Sequence, residues 1–313
     1  MNIDLAHAFG YWLQQVLNAI TLASFYTPLA VAYALVQGIT NKIFLSFGDF
    51  AMYAAFAAIY AALAGQTGGF DTLAVLTGAL AMALISASAL GRFAANQIFE
   101  PLIKRSTQAF MIASIGMSIA IQEVMRIGSG SRDLWLPQFF DGDNFKVYSG
   151  VFPVQIGIMQ VIAIGVSTVA LSLVAFIMTQ TAMGRYWTAC SQSEKLAKLS
   201  GVNTVTVLQW TCVASAALAS VSGWIVAVAY GGVTFSMGLM LGFKAMFASV
   251  IGGFGTVKGA IVGGVFLAVV ETLWTALFPL AYRDVGVFGL IILVLMLKPE
   301  GICGTVFRRE SEE

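Results

Sequence analysis

Residues 155–180 read QIGIMQVIAIGVSTVALSLVAFIMTQ and contain no Asp, Glu, Lys or Arg. About 20 consecutive apolar residues are enough for an α-helix to cross the hydrocarbon core of a bilayer. In lipid, only helices and closed barrels satisfy every backbone polar group internally. This stretch therefore predicts a transmembrane helix and places the chain among membrane proteins.

Similar apolar windows recur on both sides of this stretch and predict about nine transmembrane helices, with a range of eight to ten. The windows cover residues 11–36, 47–64, 72–90, 108–127, 155–180, 205–229, 239–254, 259–278 and 285–297. We therefore expect an all-α polytopic membrane protein that forms one transmembrane domain over residues 1–313.

The composition agrees with this fold class. Of the 313 residues, 59% are hydrophobic and 10% are charged, whereas soluble domains carry about 25% charged residues. The net charge of +1 gives no reason to expect a nucleic-acid partner, and the three cysteines have no paired spacing that would predict disulfides. The first ten residues hold no Lys or Arg, so the first apolar window is expected to stay in the membrane.

Lys and Arg are enriched in cytoplasmic loops and so predict the orientation. With the N-terminus outside and the C-terminus inside, the inner segments hold Lys42, Arg92, Lys104, Arg105, Arg185, Lys195, Lys198, Lys258, Lys298, Arg308 and Arg309. The outer segments then hold only Arg126, Arg132, Lys146, Lys244 and Arg283. The longest outer segment, residues 128–154, is expected to be a periplasmic loop that forms a small lid.

A water-loving segment follows the 155–180 window. It reads MGRYWTACSQSEKLAKLSGVN over residues 183–203. Ser191 and Glu194 have the spacing of a capping box, and Gly201 suits the left-handed end of a helix. Lys195 and Lys198 form a polar side, and Leu196, Ala197 and Leu199 are apolar. The segment is either a cytoplasmic coupling helix for a soluble partner, at about residues 184–203, or a loop held near lipid headgroups.

Two glycine-containing interruptions, at residues 38–49 and 231–242, each follow one span and precede two more. In the predicted topology the two units enter the membrane from opposite sides. Inverted repeats with interrupted segments are typical of transporters, and the interruptions point to the pathway. The alternative is that glycine-rich loops simply join helices.

Polar side chains inside spans are the candidates for a solute pathway, because a charge is costly in a bilayer. The ionisable candidates are Asp49, Glu123, Lys244 and Glu271, and the neutral ones are Asn18, Tyr26 and Gln122. The alternative for each is a structural pair with a neighbouring helix or a side chain that reaches the interface, and the sequence does not decide between these roles. Gly255, Gly259 and Gly263 have the four-residue spacing of close helix packing.

Enzymatic chemistry is not expected. His7 is the only histidine, so no zinc-protease motif or Ser–His–Asp triad is present. The sequence lacks a P-loop, so the chain is not expected to bind ATP through that motif. No catalytic residue, metal site or resident cofactor is predicted, and a self-sufficient channel or secondary carrier remains an alternative to an ATP-driven permease.

Motifs along nearly the whole chain resemble the permease of branched-chain amino-acid ABC importers, the LivH type. They are residues 115–118 (IGMS), Gln122, 130–133 (GSRD), 183–185 (MGR), 201–203 (GVN), 242–245 (GFKA), 252–255 (GGFG), Glu271, 282–284 (YRD) and 299–301 (PEG). The resemblance implies a bacterial inner-membrane protein that binds an ATPase through its coupling segment. The residues expected there are Gly184, Arg185, Ser191, Glu194, Lys195, Leu199 and Gly201.

The resemblance also implies partners: a second, LivM-like permease, two ATPases of the LivG and LivF kind that hold ATP and Mg²⁺, and a periplasmic solute-binding protein. The implied solute is a branched-chain or other hydrophobic amino acid. Urea, short amides and aromatic carboxylates remain alternatives. The chain departs from the family at residues 44–48 (FLSFG), where phenylalanines replace polar residues, and at Thr188, where arginine is frequent. Phe47 is therefore a further pathway candidate.

Overall fold

The computed structural model describes residues 2–102, 106–136, 144–148, 154–298 and 301–303. Within these ranges, eleven α-helices of six residues or more build the protein. They are α1 Asn2–Thr40, α2 Phe47–Thr67, α3 Thr72–Ala94, α4 Thr107–Gly128, α5 Ile158–Gln180, α6 Ala182–Gln192, α7 Glu194–Leu199, α8 Thr204–Tyr230, α9 Met237–Gly252, α10 Val257–Leu277 and α11 Arg283–Leu297. A π-helical turn, Ala95–Phe99, and the short turn Glu100–Leu102 continue α3.

The all-α polytopic fold is confirmed. Eight helices are long and apolar enough to span a membrane, counted over the described residues. The ninth predicted span corresponds to α9, an apolar helix of 16 residues. At 1.5 Å per residue α9 is about 24 Å long, which is shorter than the roughly 30 Å hydrocarbon core.

Four short strands occupy the segment that was predicted to be a lid and the region before α9. They are β1 Leu134–Trp135, β2 Asn144–Tyr148, β3 Val154–Gly157 and β4 Gly232–Val233. Strands β2 and β3 form an antiparallel hairpin, so α5 begins at Ile158, three residues after the predicted start. Residues 137–143 and 149–153 of the predicted lid lie outside the described residues. The predicted cytoplasmic cations Lys104, Arg105, Arg308 and Arg309 also lie outside the described residues, as do Pro299 and Glu300 of the family motif.

Backbone hydrogen bonds between distant segments show which helix ends lie side by side. Strand β1 pairs with β4, so the α4–α5 connection lies beside the end of α8. At the opposite end of α9, the backbone N–H groups of Ile302 and Cys303 donate to the carbonyl oxygens of Ile251 and Gly252. This arrangement agrees with a chain that alternates between two sides, with α9 counted as a crossing.

Helix α1 lies at the centre of the protein and packs against α8, α9 and α10. Glycines allow these helices to approach closely: a Cβ on Gly264 of α10 would meet Thr27 of α1, and one on Gly263 would meet the backbone of α9. Gly259 also packs against α9, as the spacing predicted. Gly255 differs, because it lies in the α9–α10 turn with φ +71° and approaches α1 at Gly38.

Candidate functional site

The two predicted interruptions lead to helix starts that meet inside the protein. After α1, the chain folds back so that the Tyr33 hydroxyl donates to the Leu45 carbonyl, at 3.1 Å, and accepts from the Gly48 N–H, at 3.2 Å. A Cβ on Gly48 would meet the backbone of Gly238 and Gly242 in α9. The first turns of α2 and α9 are therefore in backbone contact.

Asp49 lies at this crossing and is fully buried. The hydroxyl of Ser118 on α4 donates to its Oδ2 atom, and the Gln122 amide donates to Oδ1 at 2.8 Å. Asp49 forms no ion pair with any Lys or Arg that the structure describes. Its position in the first turn of α2 stabilises its negative charge, because backbone N–H groups face that end of a helix.

A second buried group joins four helices. Glu271 of α10 accepts from the Tyr26 hydroxyl at 2.7 Å and pairs with Lys244 Nζ of α9 at 3.0 Å. Lys244 Nζ also lies 2.8 Å from Asp284 Oδ1 of α11, and Arg283 Nε lies 3.3 Å from Glu271 Oε1. Lys244 and Glu271 are buried, whereas Arg283 and Asp284 reach the surface. Two cations and two anions therefore neutralise one another in this ion cluster. Lys244 and Glu271 thus fit the alternative in which buried charges form a structural pair.

This ion cluster gives a stability prediction. Lys244→Met removes the buried cation and leaves the Glu271 carboxylate with the partly exposed Arg283 as its remaining cationic partner; breaking a buried pair costs about 3–5 kcal/mol. We expect the melting temperature in detergent to fall by at least about 5 °C. The double variant Lys244→Met/Glu271→Met should recover part of this loss, and Lys258→Met, at an exposed position of α10, should change it little. An unchanged melting temperature for Lys244→Met would contradict the coupling.

Three other predicted pathway residues lie elsewhere. Asn18 accepts from Gln14 within α1 and joins neither buried group. Glu123 is half exposed and pairs with Arg126 one turn along α4, so its carboxylate is a surface group. Phe47 is buried among aromatic rings and lines neither of the two described cavities.

The phenylalanines that depart from the family pattern form a cluster at the start of α2. Phe44 and Phe47 have ring centroids 4.9 Å apart in an edge-to-face arrangement, and Phe44 lies 4.5 Å from Phe99. Phe50, Phe110 and Tyr33 complete the cluster. Such aromatic pairs stabilise packing beyond simple burial. These phenylalanines therefore repack the helix end.

The predicted coupling segment, at about residues 184–203, forms the two helices α6 and α7. One predicted detail of it is wrong. Helix α6 runs through Gln192, so Ser191 lies inside it and its hydroxyl donates to the Thr188 carbonyl. Ser193 is the residue that caps α7, accepting from the Leu196 N–H at 3.4 Å. Glu194 pairs with Lys198 one turn later on α7. The Ser191–Glu194 capping box therefore does not exist.

The predicted end of the segment is confirmed. Gly201 has φ +80°. Its N–H donates to the Lys198 carbonyl, and the Val202 N–H donates to the Ala197 carbonyl. This pair of bonds is the Schellman arrangement, in which glycine is favoured because the left-handed backbone has no Cβ penalty. Asn203 then caps α8 by accepting from the Thr206 N–H.

Side chains tie these two helices to the central helix α1. Trp187 Nε1 of α6 donates to the Leu35 carbonyl at 3.1 Å, and its ring lies against Gly38. Buried Ala197 of α7 packs with Cys190, and Ile39 of α1 packs against the same small cluster. A displacement of α7 would therefore reach α1 through direct packing.

Two leucines of α7 are exposed beside its charged side chains. Leu199 is 85% exposed and Leu196 is 65% exposed, although both are leucines on an ordered, capped helix. Arg185 and Tyr186 on α6 are exposed as well. An exposed apolar surface with a polar surround is typical of a binding surface. We call α6 and α7 together the coupling segment.

Sequence reasoning missed several partners in these sites. Arg283 entered only the orientation and the family motif, Asp284 only the motif, and Trp187 was not singled out. Their roles depend on contacts between distant helices, so no local signal marks them. Ser118 lies four residues before Gln122, and this helical spacing was the signal that could have joined it to Asp49.

An all-α membrane fold, two interrupted segments that meet inside it and buried polar groups between its helices are features of a class of protein, the membrane transport permeases. The chain belongs to the family described as branched-chain amino acid transport system, permease component, whose model matches residues 15–296.

Known relatives support this membership over the whole length. The high-affinity branched-chain amino acid permease LivH of Escherichia coli K12 is 35% identical over 96% of this chain and 98% of its own. BraD of Pseudomonas aeruginosa, with the same description, is 31% identical over 94% of this chain and 96% of its own. The fructose import permease FrcC of Rhizobium meliloti is 25% identical over 74% of this chain and 73% of its own.

This membership settles the class of function. The chain is a permease subunit of an ABC importer, not an enzyme, and a multi-pass protein of the bacterial inner membrane. A permease of this kind works with ATPase subunits and a solute-binding protein, which supply the energy and deliver the solute.

Proposed function

We propose that this chain moves a branched-chain amino acid into the cytoplasm and receives the force for it through the coupling segment. The observation that carries the coupling role is the exposure of Leu199 on a capped helix that packs against α1. Near full-length similarity to LivH and BraD supports the solute. The partner set in this proposal is a LivM-like second permease and two ATPases of the LivG and LivF kind.

Uptake by the reconstituted complex tests the solute and the energy source together. The permease pair, both ATPases and the binding protein are placed in proteoliposomes with ATP on the ATPase side. We expect ATP-dependent uptake of leucine, isoleucine and valine, and none by this chain alone. Uptake of urea, short amides or aromatic carboxylates instead would contradict the assignment of a branched-chain amino acid as the solute. Uptake by the purified chain without ATP would overturn the coupling and favour a channel or carrier.

The proposed orientation, with the N-terminus outside, can be tested with a native thiol. Cys303 is exposed and bonds to the end of α9, whereas Cys190 and Cys212 are buried. Burial raises the pKa of the Cys190 thiol, which keeps it in the less reactive protonated form. We expect a membrane-impermeant maleimide to label the protein in inside-out vesicles but not in spheroplasts. Cys303→Ser should remove the label, and labelling in intact spheroplasts would reverse the topology.

A further inference from the structure

A cleft between α2, α3 and α4 has a volume of about 810 Å³. Its walls include Tyr53, Ala57 and Tyr60 of α2, Val75 of α3 and Met125 of α4. Small-molecule sites measure about 300–1,000 Å³ and are mostly apolar with a few polar groups. The cleft therefore has the size and the lining of a site for a small solute with an apolar side chain.

The α2 wall of this cleft leads directly to Asp49. Asp49, Tyr53, Ala57, Tyr60 and Ala64 follow one another at spacings of four, four, three and four residues, so they share one face of the helix. Their exposure rises along the helix, from 0% at Asp49 to 45% at Tyr60. Tyr53, which lines the cleft, therefore lies one helical turn from the buried Asp49 carboxylate.

The α4 wall leads to the same place. Ser118, Gln122 and Met125 are spaced by four and three residues and lie on one face of α4. Met125 lines the cleft, and the other two donate hydrogen bonds to Asp49. Both α2 and α4 therefore contribute to the apolar lining of the cleft with one part of the helix and to the Asp49 hydrogen-bonded group with another.

The charge of Asp49 lacks a cation among the described residues. Ser118 and Gln122 are neutral donors, which hold the carboxylate oxygens in place without cancelling the charge. A buried, uncompensated charge is costly, and an ammonium–carboxylate pair is among the stronger hydrogen-bonded contacts. In the ion cluster, the Glu271 carboxylate already pairs with Lys244, so it differs from Asp49 in having a cationic partner within the protein.

We propose that this cleft is the solute-facing wall of the pathway and that Asp49, one helical turn from Tyr53 of the cleft, binds the primary ammonium group of the transported amino acid. The aliphatic side chain would lie against Ala57 and Met125 as the solute passes Tyr53. The inference rests on the proposed function, since it takes an amino acid as the solute.

The test uses the complete complex in proteoliposomes. Asp49→Asn keeps the shape of the side chain and removes its charge. We expect leucine uptake per ATP hydrolysed to fall at least tenfold, while the binding protein still stimulates the ATPases. Glu123→Gln removes a carboxylate from the surface of the same region of α4 and should stay within twofold of the wild type. Uptake by Asp49→Asn that equals the wild type would overturn the inference.

A second variant covers the case in which Asp49→Asn fails to assemble. Ala57→Cys, made in a Cys303→Ser background, can be modified after assembly with a bulky thiosulfonate reagent. We expect modification to block leucine uptake, and unchanged uptake by the modified complex would overturn the pathway assignment. A wild-type complex that carries no branched-chain amino acid would instead refute the proposed function, so the two failures are distinguishable.

Discussion

Leu199→Asp is expected to abolish ATP-driven uptake while the protein still folds and inserts. The side chain is 85% exposed, so the chain itself should tolerate a charge there. Seated in an apolar pocket of an ATPase, however, the aspartate would be buried without a partner. Truncating a central interface residue typically costs 2 kcal/mol or more, which is roughly 30-fold in affinity, and a buried charge should cost at least as much.

The measurement compares leucine uptake and solute-stimulated ATP hydrolysis in proteoliposomes of equal protein content. Leu199→Met keeps the apolar contact and serves as the matched control, with uptake expected within about twofold of the wild type. Normal coupled transport by Leu199→Asp would mean that this surface does not contact the motor. A failure of both variants to insert would instead point to a folding role for Leu199.

Gly48→Val should prevent the protein from assembling. Its Cβ would meet the backbone of Gly238 and Gly242 in α9, and neither backbone can move away like the end of a flexible side chain. One turn further along α2, Gly223 of α8 is in equally close contact with the backbone of Ala51, so α8 also restricts movement of α2. Overpacking typically costs about 1–3 kcal/mol, and here it would separate the two helix starts that form the crossing.

Fluorescence-detected size exclusion from solubilised membranes measures this effect. We expect little or no monodisperse protein for Gly48→Val. Gly116→Val, in the middle of α4, is the control, because nothing lies within 4 Å of a Cβ there. A symmetrical peak of normal height for Gly48→Val would show that the crossing is looser than the structure indicates.

Much of the fold could be predicted because the bilayer imposes a simple rule on sequence. Apolar windows located the eight helices that are long and apolar enough to span a membrane among the described residues, and a ninth window located the shorter α9. The left-handed Gly201 was predicted from its place after the apolar turn of α7, and it has the expected backbone. The close packing of Gly259 and Gly263 also followed from their spacing.

The missing parts depend on competition or on tertiary contacts. Ser191 and Ser193 both precede Glu194. Which of them caps α7 depends on where α6 ends, and the sequence alone does not show that end. The pairing of Lys244 with both Glu271 and Asp284 requires three helices to converge. The contact of the two interruptions also arises only when α2 and α9 pack. Local pattern identified the parts, and three-dimensional packing assigned their partners.

The most direct test of the ATPase-coupling role is site-specific photo-crosslinking in the intact complex. A photoreactive residue replaces Leu199 in one variant and Leu173, an exposed position on the membrane helix α5, in the other. The account predicts that only the residue at 199 gives an adduct with an ATPase subunit, identified by mass spectrometry, and that nucleotide changes its yield. An adduct with lipid alone at 199, in a complex that still hydrolyses ATP and transports leucine, would contradict it.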